Sequence, residues 1–306
     1  MALRGHWAME VTCTHQGEFP LALEHFEQAV RCRPVNHRDD GFLDALDPNV
    51  AFRCFAAWSM WFAGWPDRAR ACMQEALTLA RERTEPHGLA HALVFAAILA
   101  QLRRECRDAA AHADAAIALA NEHGLVLYLA MATIVRGWAT FERRGDAPVI
   151  ADIRQGLAAW ESTGALLMRP HFLAMLADAL DPHDDEGVRL LDEALVTAVA
   201  TGERSYQAEL LRMKGERILR RGAPRQAAEA AAEDCFRQAL EVARGQAARS
   251  LELRAALSLA RLHQQRGDDN AGRELLAPIY AWFVEGFETN DLREARTLLE
   301  SPAGGR

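Results

Sequence analysis

Apolar and small residues recur along this chain at the spacing of a helix face. In the first third, Ala22, Phe26 and Ala29 stand four and three residues apart, as do Ala69, Met73 and Ala76, and then Ala109, Ala113 and Ala116. The same interval joins Val149, Ile153 and Gly156; Gly187, Leu191 and Ala194; Ala232, Phe236 and Ala239; and Gly272, Leu276 and Ile279. Positions i, i+4 and i+7 share one face of an α-helix, whereas a half-buried strand needs strict alternation, and nothing here reads as a strand hairpin. The last members of these sets lie 38 to 47 residues apart, which is the mark of a repeat. Punctuation agrees: Pro34, Pro48, Pro66, Pro86, Pro170, Pro182, Pro224 and Pro302 fall near expected loops or first turns, and Gly124, Gly145, Gly164, Gly202, Gly222 and Gly267 fall where helices should stop. The pattern predicts helical hairpins centred near 5–32, 51–80, 91–120, 130–160, 169–198, 206–243 and 251–283, and a last helix near 290–300. With no clear linker, residues 1–306 read as one domain whose longest irregular stretch is 34–49.

The first copy, Gly17-Glu18-Phe19-Pro20-Leu21-Ala22 with Phe26, Ala29 and Pro34, resembles the tetratricopeptide repeat. That motif has small residues where two helices cross, a bulky residue in the second helix and a closing proline. The fold class expected is therefore all-α, an α-solenoid (superhelix) of about seven such hairpins. One hairpin cannot bury enough apolar surface to offset its chain entropy, but a stack can. The first helix is expected to start near residue 2 with Leu3 and Trp7 and no polar cap before it. That suggests a piece of a larger protein or an end covered by a partner, and a homodimer or end-to-end contacts are expected.

Composition narrows the function classes. Half of the residues are hydrophobic and a quarter charged, which suits a folded chain. The net charge is −8, with arginine supplying all but one of the positive side chains and Lys214 the sole lysine. A phosphate-tracking protein carries a basic field, so nucleic acid is not an expected partner. The pairs Arg103-Arg104, Arg143-Arg144 and Arg220-Arg221 suit helix C-termini. The six cysteines contain no CxxC and read as small reduced core residues. Neither a signal peptide nor an 18-residue uncharged apolar run is seen, so a cytoplasmic, non-membrane chain is expected.

Candidate chemistry is sparse. His87 and His91 are one helical turn apart, a spacing metal sites use, but no third ligand stands near them in sequence. The acidic run Asp181-Pro182-His183-Asp184-Asp185-Glu186-Gly187 lacks the sixth-place glycine and distal glutamate of a calcium loop, and suits the first turn of the next helix. Cys13 and His15 point in different directions on a helix, and GxSxG is absent. No catalytic residue, metal or cofactor is assigned. Threading the repeats puts Trp7, Trp58, Trp61, His91, Trp138 and Arg169 on the first helices that line a groove in tetratricopeptide arrays. Further on it puts Glu209, Arg212, Glu216, Arg254 and Arg261 there. Aromatic residues and arginine dominate binding energetics, although tryptophans at these spacings also serve as inter-helix core, and Arg–Glu mixtures as surface ion pairs.

Several phrases resemble one bacterial family. They are Ile134-Val135-Arg136-Gly137-Trp138-Ala139, Ile153-Arg154-Gln155-Gly156-Leu157-Ala158-Ala159-Trp160, Thr201-Gly202-Glu203-Arg204, Lys214-Gly215-Glu216 and Leu276-Ala277-Pro278-Ile279-Tyr280-Ala281-Trp282-Phe283. They are similar to the C-terminal tetratricopeptide region of large proteins in which a class III nucleotide cyclase or DNA-binding domain precedes a predicted ATPase. No GxxxxGK[ST] phosphate loop or cyclase metal aspartate is recognisable, so the resemblance implies a regulatory scaffold without catalysis. Its implied partners are a protein or peptide, or the parent's upstream domains. A small-molecule inducer, as in ATP-dependent transcription regulators, is the alternative.

Overall fold

Fifteen α-helices make up the secondary structure of the computed structural model, which describes residues 2–32, 46–83, 85–144, 148–221 and 225–301. Pro34, Gly145, Gly222, Pro224, Pro302 and most of the 34–49 stretch lie outside the described residues. The helices pair as α1 (Ala2–Gln16) with α2 (Phe19–Arg31), α3 (Pro48–Phe62) with α4 (Pro66–Arg83), α5 (Pro86–Leu102) with α6 (Cys106–His123), and α7 (Val126–Arg144) with α8 (Pro148–Ser162). Three further pairs follow: α9 (Arg169–Ala179) with α10 (Asp185–Thr201), α11 (Gln207–Arg220) with α12 (Arg225–Gly245), and α13 (Arg249–Gln265) with α14 (Asp269–Ala281); α15 (Asn290–Glu300) is last. Seven hairpins of tetratricopeptide-like α-solenoid type are thus present, and no strand occurs among the described residues.

The chain divides into two compact units. Unit 1 is Met1–Trp61 with Asp67–Met168, and unit 2 is Phe62–Pro66 with Arg169–Arg306. Within unit 1 the first helices of successive hairpins meet: the Thr14 and Ser59 hydroxyls join α1 to α3 at 2.9 Å, Trp58 of α3 bonds α5, and α5 packs on α7. Within unit 2, α9, α11, α13 and α15 neighbour one another in the same way.

The repeat positions do what their sizes dictate. Ala22, Ala69, Ala109 and Ala232 are fully buried, as are Ala29, Ala76, Ala116, Ala194 and Ala239. Some crossings are tighter still. A Cβ on Gly215 of α11 would lie 2.6 Å from the Phe236 ring of α12, and one on Gly137 of α7 would lie 2.5 Å from Ile153 of α8. Helix starts use Pro48, Pro66, Pro86 and Pro148 in the first turn, where a missing N–H costs nothing. The acidic run before α10 acts as expected: Asp184 Oδ1 accepts from the Glu186 N–H at 2.9 Å, and Asp185 and Glu186 occupy the first turn. Gly124 and Gly202 close α6 and α10 in the left-handed conformation.

One expectation needs correction. The cysteines are all free, but Cys32 is exposed and Cys106 half-buried, because each stands at a helix end and not on a packed face. Arg103 caps the C-terminal end of α5 as expected, and there it is only 4% exposed, with its Nε donating to Glu105 Oε1 at 3.0 Å.

Candidate functional site

Each first helix of unit 1 contributes a ring to one cluster. The Trp58 indole stacks on Phe95 with centroids 4.1 Å apart, and its Nε1–H donates to the Phe95 carbonyl at 3.1 Å. Phe55 meets Phe95 edge-on at 4.8 Å, and His91 stacks on Phe95 at 4.1 Å. The Tyr128 hydroxyl of α7 lies 3.4 Å from His91 Nδ1, and His87 meets the Tyr128 ring edge-on at 5.0 Å. His15 of α1 completes the row against Phe55 at 5.7 Å. Burial keeps His91 neutral, with its pKa lowered to about 3, and pushes the Tyr128 phenol up.

Several polar atoms in unit 1 are buried without a hydrogen-bond partner: Trp7 Nε1, both Glu10 carboxyl oxygens, His87 Nδ1 and His91 Nε2. They come in two pairs, Trp7 with Glu10 on α1 and His87 with His91 on α5, each about one turn apart. Glu10 has no exposed surface, and burial raises its pKa to about 9, so at neutral pH it is an un-ionised acid. Leaving such groups unpaired costs about 1–3 kcal/mol each, so these are places where a native fold holds unused bonding capacity.

Unit 2 gathers charge instead. Glu209 accepts from Arg212 Nε at 2.9 Å and Nη2 at 2.8 Å, and from Arg254 Nη1 at 3.3 Å. Arg254 Nε donates to Asp291 of α15 at 2.8 Å. Ser258 Oγ donates to Glu216 at 2.7 Å and accepts from Arg212 Nη1 at 3.3 Å. Burial works against the charge on Arg254, but Asp291 and Glu209 outweigh it and hold its pKa above the ordinary value. Tyr206 stacks on His171 at 4.1 Å and 4°, and burial lowers the His171 pKa to about 3.

The residues expected to form a binding face fall as follows. Trp58 and His91 lie together in the ring cluster; Trp7 is half-buried with its indole N–H unpartnered; Trp61 and Trp138 are 2% and 3% exposed. Glu209, Arg212, Glu216 and Arg254 form one network, while Arg261 pairs with Glu294 of α15, and Arg169 with Glu193 of α10 at 2.7 Å. Phe55, Phe95, Tyr128 and Glu10 were not anticipated, nor were His171, Tyr206, Ser258 and Asp291. Phe55 lies three residues from Trp58 and Phe95 four from His91, a same-face spacing that would have found them.

A separate cavity of about 150 Å³ lies between α4, α5 and α6, lined in part by Arg70, Met73, Arg103, Glu105, Asp108 and His112. No expected binding residue borders it. Among the described residues, no three His, Cys, Asp or Glu side chains are grouped to hold a metal, and no helix is long and apolar enough to cross a membrane.

Solved structures share this fold. The Rap conjugation gene regulator of plasmid pLS20, in complex with the Phr* peptide, matches with a TM-score of 0.66 at 12% identity, over 98% of this chain and 76% of that one. The apo form of RapI matches at 0.56 and 10% identity, over 98% and 99% of the two chains. NprR in complex with its cognate peptide NprX matches at 0.56 and 10% identity, over 97% and 82%. Likeness at these identities establishes the architecture alone. No protein-family model and no curated protein matches the sequence.

Proposed function

We propose that this chain is a non-catalytic regulatory receptor that binds a peptide or an extended protein segment along the first-helix faces of its hairpins. The observation that carries this is the row of rings shared by the first helices of unit 1, in which His87 and His91 hold unused hydrogen-bonding capacity. A peptide offers amide N–H and C=O groups to such atoms and side chains to the rings, and helical-repeat arrays bind extended chains on surfaces of this kind. Two solved structures of the same fold hold peptides, which supports the reading.

On this reading the bound array acts on a second protein, or on upstream cyclase- or ATPase-type domains of a longer polypeptide, as the sequence resemblance implies. A small-molecule inducer is the second reading, favoured by the ring cluster alone. Titrations followed by tryptophan fluorescence separate the two, because Trp58 sits within the cluster. A response to members of a random peptide library, weakened by His91→Phe, supports the receptor. A response to small metabolites alone supports the inducer, and silence to both sinks each reading. Light scattering at high concentration tests the expected self-association, and a strict monomer removes it.

A further inference from the structure

The first hairpin holds a pair of histidines that the function above does not use. His6 of α1 and His25 of α2 face each other with their Nδ1 atoms 3.0 Å apart and ring centroids 5.3 Å apart. Both side chains are half-buried, so one edge of the pair is open to solvent. Two imidazole nitrogens that share one ion, at metal–nitrogen distances of about 2.0–2.1 Å and an angle between square and tetrahedral, stand about 2.9–3.4 Å apart. The observed separation falls inside that window.

We propose that His6 and His25 form a bidentate site for a divalent late-transition ion, of the zinc or nickel class. Imidazole nitrogen suits these ions, whereas magnesium and calcium prefer oxygen. Without an ion, the 3.0 Å separation is a hydrogen bond in which one imidazole donates its Nδ1–H to the other. Binding replaces that bond: the Nδ1 proton gives way to the ion, the ring takes its proton on Nε2, and both Nδ1 lone pairs point at the metal. No third protein ligand is grouped with the pair among the described residues, so water completes the coordination shell. A two-ligand site of this kind is exchangeable, not a permanent structural site. Its effect is local, because the ion ties α1 to α2 across one hairpin.

The test uses the tag-free full chain and the ions alone. Calorimetric titration with Zn²⁺ and with Ni²⁺ is expected to give one ion per chain, and the Tm to rise by a few degrees at saturating ion. His6→Gln and His25→Gln each reduce the affinity by about tenfold or more and remove the Tm rise, while circular dichroism stays unchanged because both side chains are half-buried. His123→Gln, at the exposed end of α6, leaves ion binding intact. Affinity unchanged in both hairpin variants, or no uptake at millimolar ion, overturns the proposal. A variant whose helix content falls is replaced by its partner substitution on the opposite helix, which reports on the same ion.

Discussion

Unit 1 and unit 2 are built from the same hairpin and differ in the side chains that meet between their first helices. In unit 2 the polar side chains between first helices satisfy one another, with Glu209, Arg212, Arg254, Asp291, Ser258 and Glu216 joined in a continuous run of bonds. In unit 1 the corresponding helices carry rings, with polar atoms left unpaired at Trp7, Glu10, His87 and His91. A satisfied network holds helices in register, whereas an unsatisfied one costs stability that an incoming ligand can return. Repeats of the same design thus bring their first helices together by different chemistry, rings in one unit and charges in the other.

The largest expected effect comes from breaking the network of unit 2. Arg254→Ala leaves the buried Asp291 and Glu209 carboxylates without that guanidinium and should destabilise by about 3–5 kcal/mol in urea melts. A loss under about 1 kcal/mol would mean that unit 2 does not depend on its charges. Next come the tight crossings, where the two units should behave alike. Gly215→Ala and Gly137→Ala each force a Cβ against a neighbouring side chain and should cost about 1–3 kcal/mol. Gly5→Ala, on α1 with open space around it, should instead gain about 0.5–1 kcal/mol.

Glu10 sharpens the contrast because its removal should help. Its folded pKa, about 9, lies above the ordinary 4.5, so between those values the unfolded chain is ionised while the folded one keeps its proton. Stability from this group is full below pH 4.5 and falls as pH rises toward 9. Glu10→Met should raise stability at pH 8 by about 1–2 kcal/mol and flatten the dependence of Tm on pH across that window. A lower Tm would show that the acid has a partner.

The smallest effect concerns acid. His91 and His171 are buried neutral, with pKa values of about 3 against an ordinary 6.5, so each contributes stability that is present above pH 6.5 and lost as pH falls toward 3. His91→Phe should remove the unit 1 share of that loss and His171→Phe the unit 2 share, each read as a shallower decline in Tm from pH 6.5 to 4.

The hairpins were legible in sequence because the same small and bulky residues recur at fixed offsets, and Ala69, Met73 and Ala76 are packed as that spacing implies. The charged partners were legible only in part. Glu209 and Arg212 are three apart on one helix, so their bond is local, but Asp291 meets Arg254 from 37 residues away and nothing near either residue signals it. Glu10 was invisible for another reason: glutamate on an amphipathic helix reads as solvent-facing, and only the packing of α3 and α4 around it makes it an un-ionised acid.

The arrangement around Arg217 limits how such a chain can grow. Its guanidinium passes over Gly187, where a Cβ would collide with it, and donates to the carbonyls of Ala177, Leu180 and Asp181 at the end of α9. The hairpin α9–α10 is thereby keyed to the one that follows it. Copying a neighbouring hairpin into that place, in evolution or by recombination in the laboratory, would separate lock from key and strand either three oxygens or one cation. Lengthening should therefore succeed at unkeyed joints and fail here.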